Sequence, residues 1–138
     1  MHCARAQAQL FMQAYNKFTD KEFQKSFMEI VFQHEWDDYD DWWEKYGPAT
    51  NSEESSKRAS VFSYFEGLGV FVEQGLIDIE LVSRLGSQNI ILCWEKYSPI
   101  LEEYTRRTGS PYTYEYMGWL YNELKTKRHV APDVFEGK

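Results

Sequence analysis

The chain has 138 residues and a mass of 16.4 kDa, the size of one ordinary domain, which can hide roughly two-thirds of its surface without a disulfide or metal staple. Hydrophobic residues make up 43% and aromatics 17%, a composition that excludes intrinsic disorder and low-complexity sequence. Fifteen basic against 22 acidic residues leave a net charge of −7, so neither nucleic acid nor an anionic membrane surface is expected as the main partner.

Nearly every strong period along the chain is helical. Met1 to Gln9 is polar and lacks the apolar core of a signal peptide, and no run of apolar residues approaches membrane-spanning length. Leu10, Phe11, Ala14, Tyr15 and Phe18 form the stripe of a first amphipathic helix. Thr19 or Asp20 offers a cap for a second, on which Phe23, Phe27, Ile30 and His34 share a face, with Val31 beside it. Asp37 to Tyr46 is an acidic, aromatic segment of one or two helical turns, and a mobile polar loop is expected over about 47–56.

A third helix should start between Ser52 and Ser56 and run to about Gln74. Its stripe is Val61, Phe65, Leu68 and Val72, extended by Phe62, Gly69 and Leu76, and Gly75 is its stop. Asp78 reads as the cap of a short helix, Ile79 to Leu85, closed by Gly86. The fifth helix carries Ile90, Ile91, Trp94, Leu101 and Tyr104 and should bend at Pro99. Gly109-Ser110-Pro111 breaks the chain before a last helix, Thr113 to Lys127, that presents Tyr116, Met117, Leu120 and Leu124. With no strand pattern and no repeat, the expected fold is all-α: one helical domain over 1–129, a bundle of five to six helices, and a C-terminal tail over 130–138.

The string Phe65-Glu66-Gly67-Leu68-Gly69-Val70-Phe71-Val72, then Gly75-Leu76-Ile77-Asp78-Ile79, then Trp94-Glu95-Lys96-Tyr97-Ser98-Pro99-Ile100, resembles an uncharacterised family of helical domains, domain-of-unknown-function family 4760. The resemblance runs from about Gln7 to Leu124 and is densest between Val61 and Glu103. It implies an all-helical fold and no assigned activity or catalytic residues. Several members of the family carry a membrane helix ahead of such a domain. The resemblance therefore implies either a soluble member or one whose membrane segment is missing, the latter admitting a membrane-proximal signalling role.

Two glycines inside the third helix, Gly67 and Gly69, cost about 1 kcal/mol each relative to alanine. They suggest close packing of another helix, the fifth for instance, or room for a ligand beside Glu66. Glu66 and Glu95 each sit in an apolar neighbourhood; if both faced one interior they could bind a cation or act as acid and base. The alternative is a surface glutamate, or one paired with Lys96, Arg84 or a Tyr hydroxyl. No Glu-x-x-His occurs, so a four-helix di-metal centre is not indicated.

His34 lies on an apolar face beside Glu35, Trp36 and Asp37, where a satisfied core histidine is the expectation and a zinc ligand set is not. The acidic run Asp37-Asp38-Tyr39-Asp40-Asp41 lacks the Gly and Glu of an EF-hand loop. With Trp42 and Trp43 it reads either as a solvated acidic face with its rings turned inward, or as an aromatic patch at Tyr39, Trp42 and Trp43 that docks a basic or amphipathic partner. Adjacent tryptophans point about 100° apart on a helix, so both do not fit one core stripe. Arg106, Arg107, Lys125, Lys127 and Arg128 sit at helix C-termini, where they complement the macrodipole.

Cys3 and Cys93 form no CxxC pair, and Cys93 in Ile90-Ile91-Leu92-Cys93-Trp94 reads as a buried thiol, consistent with a reducing cytoplasmic setting. The functional expectation is a non-catalytic helical interaction module, self-associating or bound to a protein partner, with no cofactor, no metal and no nucleic acid. The competing reading is a small-molecule or metal-binding domain, an enzyme among its forms, built on a buried Glu66/Glu95 pair.

Overall fold

The computed structural model of the chain describes residues 4–111 and 113–127. Six α-helices follow one another: α1 (Ala4–Phe18), α2 (Lys21–Met28), α3 (Tyr39–Tyr46), α4 (Ser52–Glu73), α5 (Ile79–Thr108) and α6 (Glu115–Lys127). No strand occurs among the described residues. The tail expected over 130–138, with Cys3 and Arg128, lies outside them.

α4 is the central element and packs most extensively on α6 and α2. Its stripe Val61, Phe62, Phe65 and Leu68 is buried as the helical period predicts. Against it lie Phe23, Phe27 and Ile30 from the second segment, Ile90, Cys93, Tyr97 and Ile100 from α5, and Met117, Leu120 and Leu124 from α6. On α1 only Ala14 is buried, and Tyr15, placed by its period on the inner stripe, is exposed. The α1 stripe is narrower than its sequence suggests because only one side of the helix meets α2 and α4.

The helix ends carry the expected chemistry. Asp20, Asp38, Asn51 and Asp78 each accept a backbone N–H from the first turn of the helix they precede. Asn51 also donates to Lys45 O, and Thr50 Oγ1 donates to Glu44 O at 2.7 Å, so the connection between α3 and α4 is tied down. The polar stretch read as a loop over 47–56 is therefore a short turn, with α4 already begun at Ser52.

Two departures from regular helix shape the core. α2 continues into a π-helical turn, Glu29–Gln33, with His34 N–H bonded to Glu29 O. The wider turn leaves Ile30, Val31 and His34 inside and turns Phe32 out, 64% exposed. The carbonyls there are taken up by α5: Tyr97 Oη donates to Ile30 O at 2.7 Å, and Lys96 Nζ donates to Val31 O and His34 O. In α5 the backbone leaves helical geometry at Gly86, where the sequence closes its short helix Ile79 to Leu85, and keeps helical dihedrals through Pro99. A side chain at Gly86 would meet the Phe18 ring, whereas Pro99 is exposed and the carbonyl it leaves free can face water.

Gly69 and Gly118 set how closely α6 approaches its neighbours. A Cβ on Gly69 would stand 2.3 Å from Tyr116 O, and one on Gly118 would stand 2.8 Å from the Trp94 indole. The close approach at Gly69 is thus to α6 and not to α5. Gly67, two residues earlier, faces open space.

Candidate functional site

Each of the two glutamates singled out in the sequence holds α6. Glu66, half-buried on α4, accepts the backbone N–H of Met117 on its Oε1 at 2.8 Å. Glu95 on α5 accepts from Tyr121 Oη at 2.7 Å and Lys125 Nζ at 3.1 Å, and those bonds draw its pKa below the ordinary carboxylate value. Its side chain is 45% exposed. Of the two readings the sequence leaves open, Glu95 takes the surface glutamate paired with a tyrosine hydroxyl and not the buried carboxylate pair: it looks outward because α5 turns Cys93 and Tyr97, not position 95, toward the core. Among the described residues no group of three or more His, Cys, Asp and Glu converges as metal ligands would.

His34 lies at 5% exposure with its ring stacked on Tyr46, centroids 4.0 Å apart. Its Nε2 is 2.7 Å from Glu54 Oε1, and Glu54 Oε2 accepts from Lys57 Nζ, which also reaches Glu29 at 3.1 Å. Burial is the largest influence on the imidazole and lowers its pKa below 6.5, against the opposing pull of Glu54. The neutral ring then donates from Nε2 to Glu54, and Nδ1 is left buried with no hydrogen-bond partner among the described residues. Half of the satisfied core histidine expected from the sequence is thus present. Cys93 is fully buried and its thiol pKa is raised by desolvation, the opposite of a reactive cysteine.

The acidic run at the start of α3 is spent on helix capping and ion pairs. Asp38 accepts the N–H of Asp41, Asp41 accepts the N–H of Asp37 and pairs with Lys45, and Asp40 pairs with Arg107. Arg107 also bonds Glu103 and lies over the Tyr39 ring. Among these groups Glu103, facing both Arg106 and Arg107, has its pKa drawn down to about 2.

Behind that rim the aromatic residues form a cleft. Trp42 is 4% exposed, Trp43 and Tyr39 are half-buried, and the Tyr39 and Trp43 rings stack. The two tryptophans do part, one into the core and one toward the surface, as their angular separation requires. Trp42 and Trp43, with Arg58 and Phe62 of α4, Tyr104 of α5 and Tyr114 before α6, line a cleft of about 120 Å³. Tyr114 takes its place there in the left-handed region at φ 52, an uncommon conformation for a non-glycine residue, with its ring edge-on to Phe62.

Arg58 was not singled out by the sequence. Its guanidinium lies 4.6 Å from the Trp42 ring centroid, Nη1 donates to Tyr46 O and Nη2 donates to Ser55 Oγ. No carboxylate pairs with it among the described residues, and burial lowers its pKa from the usual guanidinium value. The signal was present, since positions 58, 62 and 65 fall on one helical face and the latter two are plainly core. An arginine in line with a buried stripe was there to be noticed.

No helix among the described residues is long and apolar enough to cross a membrane. No curated protein and no solved structure matches the chain. The model of an uncharacterised family does match, across residues 4–124 and so over the whole bundle just described, and the chain belongs to that family, the domain of unknown function DUF4760.

Proposed function

We propose that the chain is a non-catalytic helical interaction module that docks an apolar side chain of a polypeptide partner in the cleft walled by Trp42 and Trp43, with Tyr39 at its rim. The observation that carries this reading is the cleft's size together with its lining. At about 120 Å³ it suits one side chain and falls short of the volume that cofactors and metabolites of ordinary size need. Its walls are aromatic, the residue class that dominates binding energy at interfaces. Three groups suited to acid-base chemistry are engaged elsewhere: Glu66 and Glu95 with α6, and His34 with Glu54.

Self-association belongs to the same reading. The large apolar side chains most exposed among the described residues, Met12, Tyr15, Met28 and Phe32, all belong to the first two helical segments. A second copy is the partner we assign to these side chains. The cations Lys45, Lys57, Arg107 and Lys125 are each paired with carboxylates, which supports a protein partner over nucleic acid. The buried Cys93 thiol suits a reducing compartment, and the cytoplasm is the location we infer.

Two measurements test the reading. Benzyl alcohol, standing in for an apolar side chain, should shift the indole N–H resonances of Trp42 and Trp43, and Tyr104→Ala should weaken that response. Native mass spectrometry at rising concentration should show a dimer that Phe32→Asp disperses. A protein that stays monomeric and whose tryptophans ignore the probe would remove the proposal.

A further inference from the structure

We propose that the cleft is a receptor for a polypeptide C-terminus, with a large apolar last residue between the aromatic walls and its terminal carboxylate on Arg58. The inference rests on the reading that the cleft docks a polypeptide, and it adds which part of the polypeptide enters and what chemistry recognises it.

Arg58 is the only charged residue among the described residues that line the cleft. A guanidinium carries five N–H donors in a planar fork matched to a carboxylate. Here one bond goes to Tyr46 O and one to Ser55 Oγ, and the rest of the fork has no acceptor among the described residues. Several acids of α3, α4 and α5 are committed elsewhere: Asp40 to Arg107, Asp41 to Lys45, Glu103 to Arg106 and Arg107, and Glu54 to His34 and Lys57. Beneath the same wall the indole N–H of Trp42 is buried without an acceptor among the described residues. A guanidinium with unmet N–H donors and no acidic side chain among the described residues that line the same aromatic cleft describe a site that lacks an anionic acceptor.

Size and charge narrow the occupant. One guanidinium balances one negative charge, which fits a carboxylate and leaves a phosphate dianion half-compensated in a chain of net charge −7. The volume is on the scale of a cavity that holds a single aromatic ring. Within a polypeptide, only an apolar C-terminal residue carries a carboxylate and a large apolar side chain on the same Cα, so it alone can fill the walls and reach Arg58 from a one-residue cleft. Capture of a terminal carboxylate is an established mode of peptide recognition.

The test titrates the full chain, by NMR at the tryptophan indole N–H signals, with an acetylated tripeptide ending in phenylalanine as the free acid and with the same peptide as its C-terminal amide. Benzoate and benzamide form a second pair. The expected result is that the free-acid peptide binds about tenfold or more tighter than the amide, the ratio expected of a hydrogen-bonded ion pair, and that Arg58→Gln removes the difference. Equal binding of acid and amide overturns the carboxylate assignment while leaving the apolar docking cleft standing. No response to either peptide or to either small probe overturns both. Benzoate binding with both peptides inert overturns the chain-end assignment in favour of a small free acid. The acid-amide comparison uses the wild-type chain, so it decides the matter even if Arg58→Gln does not fold.

Discussion

Glu66 on α4 reaches across to α6 and accepts the backbone N–H of Met117 at 2.8 Å, in the first turn of a helix that begins at Glu115. The N–H groups of a first helical turn have no partner within their own helix, and a carboxylate placed there both accepts the bond and complements the positive end of the helix dipole. One side chain thus caps α6 from a neighbouring element. Glu66→Ala should cost about 1 kcal/mol, the usual loss for a helix cap, and lower Tm by several degrees. Glu66→Gln keeps an acceptor oxygen and should cost less. Thermal unfolding by circular dichroism separates the two; Tm values for both variants equal to that of the unsubstituted chain would mean that the carboxylate charge and the bond to Met117 are both idle.

Gly67 and Gly69 should respond to alanine with opposite signs. At Gly69 the new Cβ would be driven against the backbone carbonyl of Tyr116, which cannot swing aside as a flexible side chain can. Gly69→Ala should destabilise by about 1–3 kcal/mol or more through displacement of α6. At Gly67 nothing lies within 4 Å, so alanine brings only its better helix propensity, a gain of about 0.5–1 kcal/mol. Urea midpoints for the two variants decide this; a loss of stability at both positions would contradict the assignment of Gly67 to open space.

The same two glycines show how far the sequence is legible. Their presence in a helix interior announces that something approaches, but which of two residues 200° apart meets a neighbour depends on where α6 lies, and that is a tertiary fact. The stripe of Val61, Phe65 and Leu68 is readable because burial repeats with the helix period over several turns. The difference between Glu66 and Glu95 is not, because both have apolar neighbours in sequence and only the rotation of α5 decides that Cys93 and Tyr97 face inward. Ile77, buried to 1% in the turn between α4 and α5, belongs to no period and could not be found by one. The π-helical turn escapes for a related reason, since its cause is the pair of donors that α5 offers to its carbonyls, 62 to 67 residues away in the chain.

That pair of donors makes a further prediction. Tyr97 is fully buried, and its hydroxyl is bound to Ile30 O inside the core. Tyr97→Phe keeps the ring, including its edge-on contact with Phe62, and removes only the hydroxyl. The cost should be about 1–2 kcal/mol, because the Ile30 carbonyl is left buried and short of a donor. Hydrogen exchange should then quicken at the amide of His34, whose bond to Glu29 O closes the π turn, ahead of amides in the middle of α4. Uniform acceleration at both sites would show that the hydroxyl supports the whole bundle and not the turn.

His34 supplies the pH dependence. Its folded pKa lies below 6.5 because burial disfavours the imidazolium, although Glu54 pulls the other way and Lys96 and Arg58 add to the lowering. Lys57 faces Glu54 from the same side of α4, and Tyr46 of α3 covers the ring. A group whose folded pKa is depressed binds its proton more readily when unfolded. Its contribution to stability is therefore complete above pH 6.5 and is lost as pH falls from 6.5 through the folded value. Protonation also places a second N–H at Nδ1, a buried atom with no acceptor among the described residues. Glu54, whose own pKa is lowered chiefly by Lys57, adds a separate loss only as pH falls below 4.5. Unfolding free energy should therefore slope downward from pH 6.5 toward 5, and His34→Phe, which retains a ring against Tyr46 and cannot titrate, should flatten that slope while leaving the loss below 4.5 largely in place. Urea denaturation at half-unit pH steps reads both windows; an unchanged slope in the variant between pH 6.5 and 5 would assign the acid sensitivity to carboxylates alone.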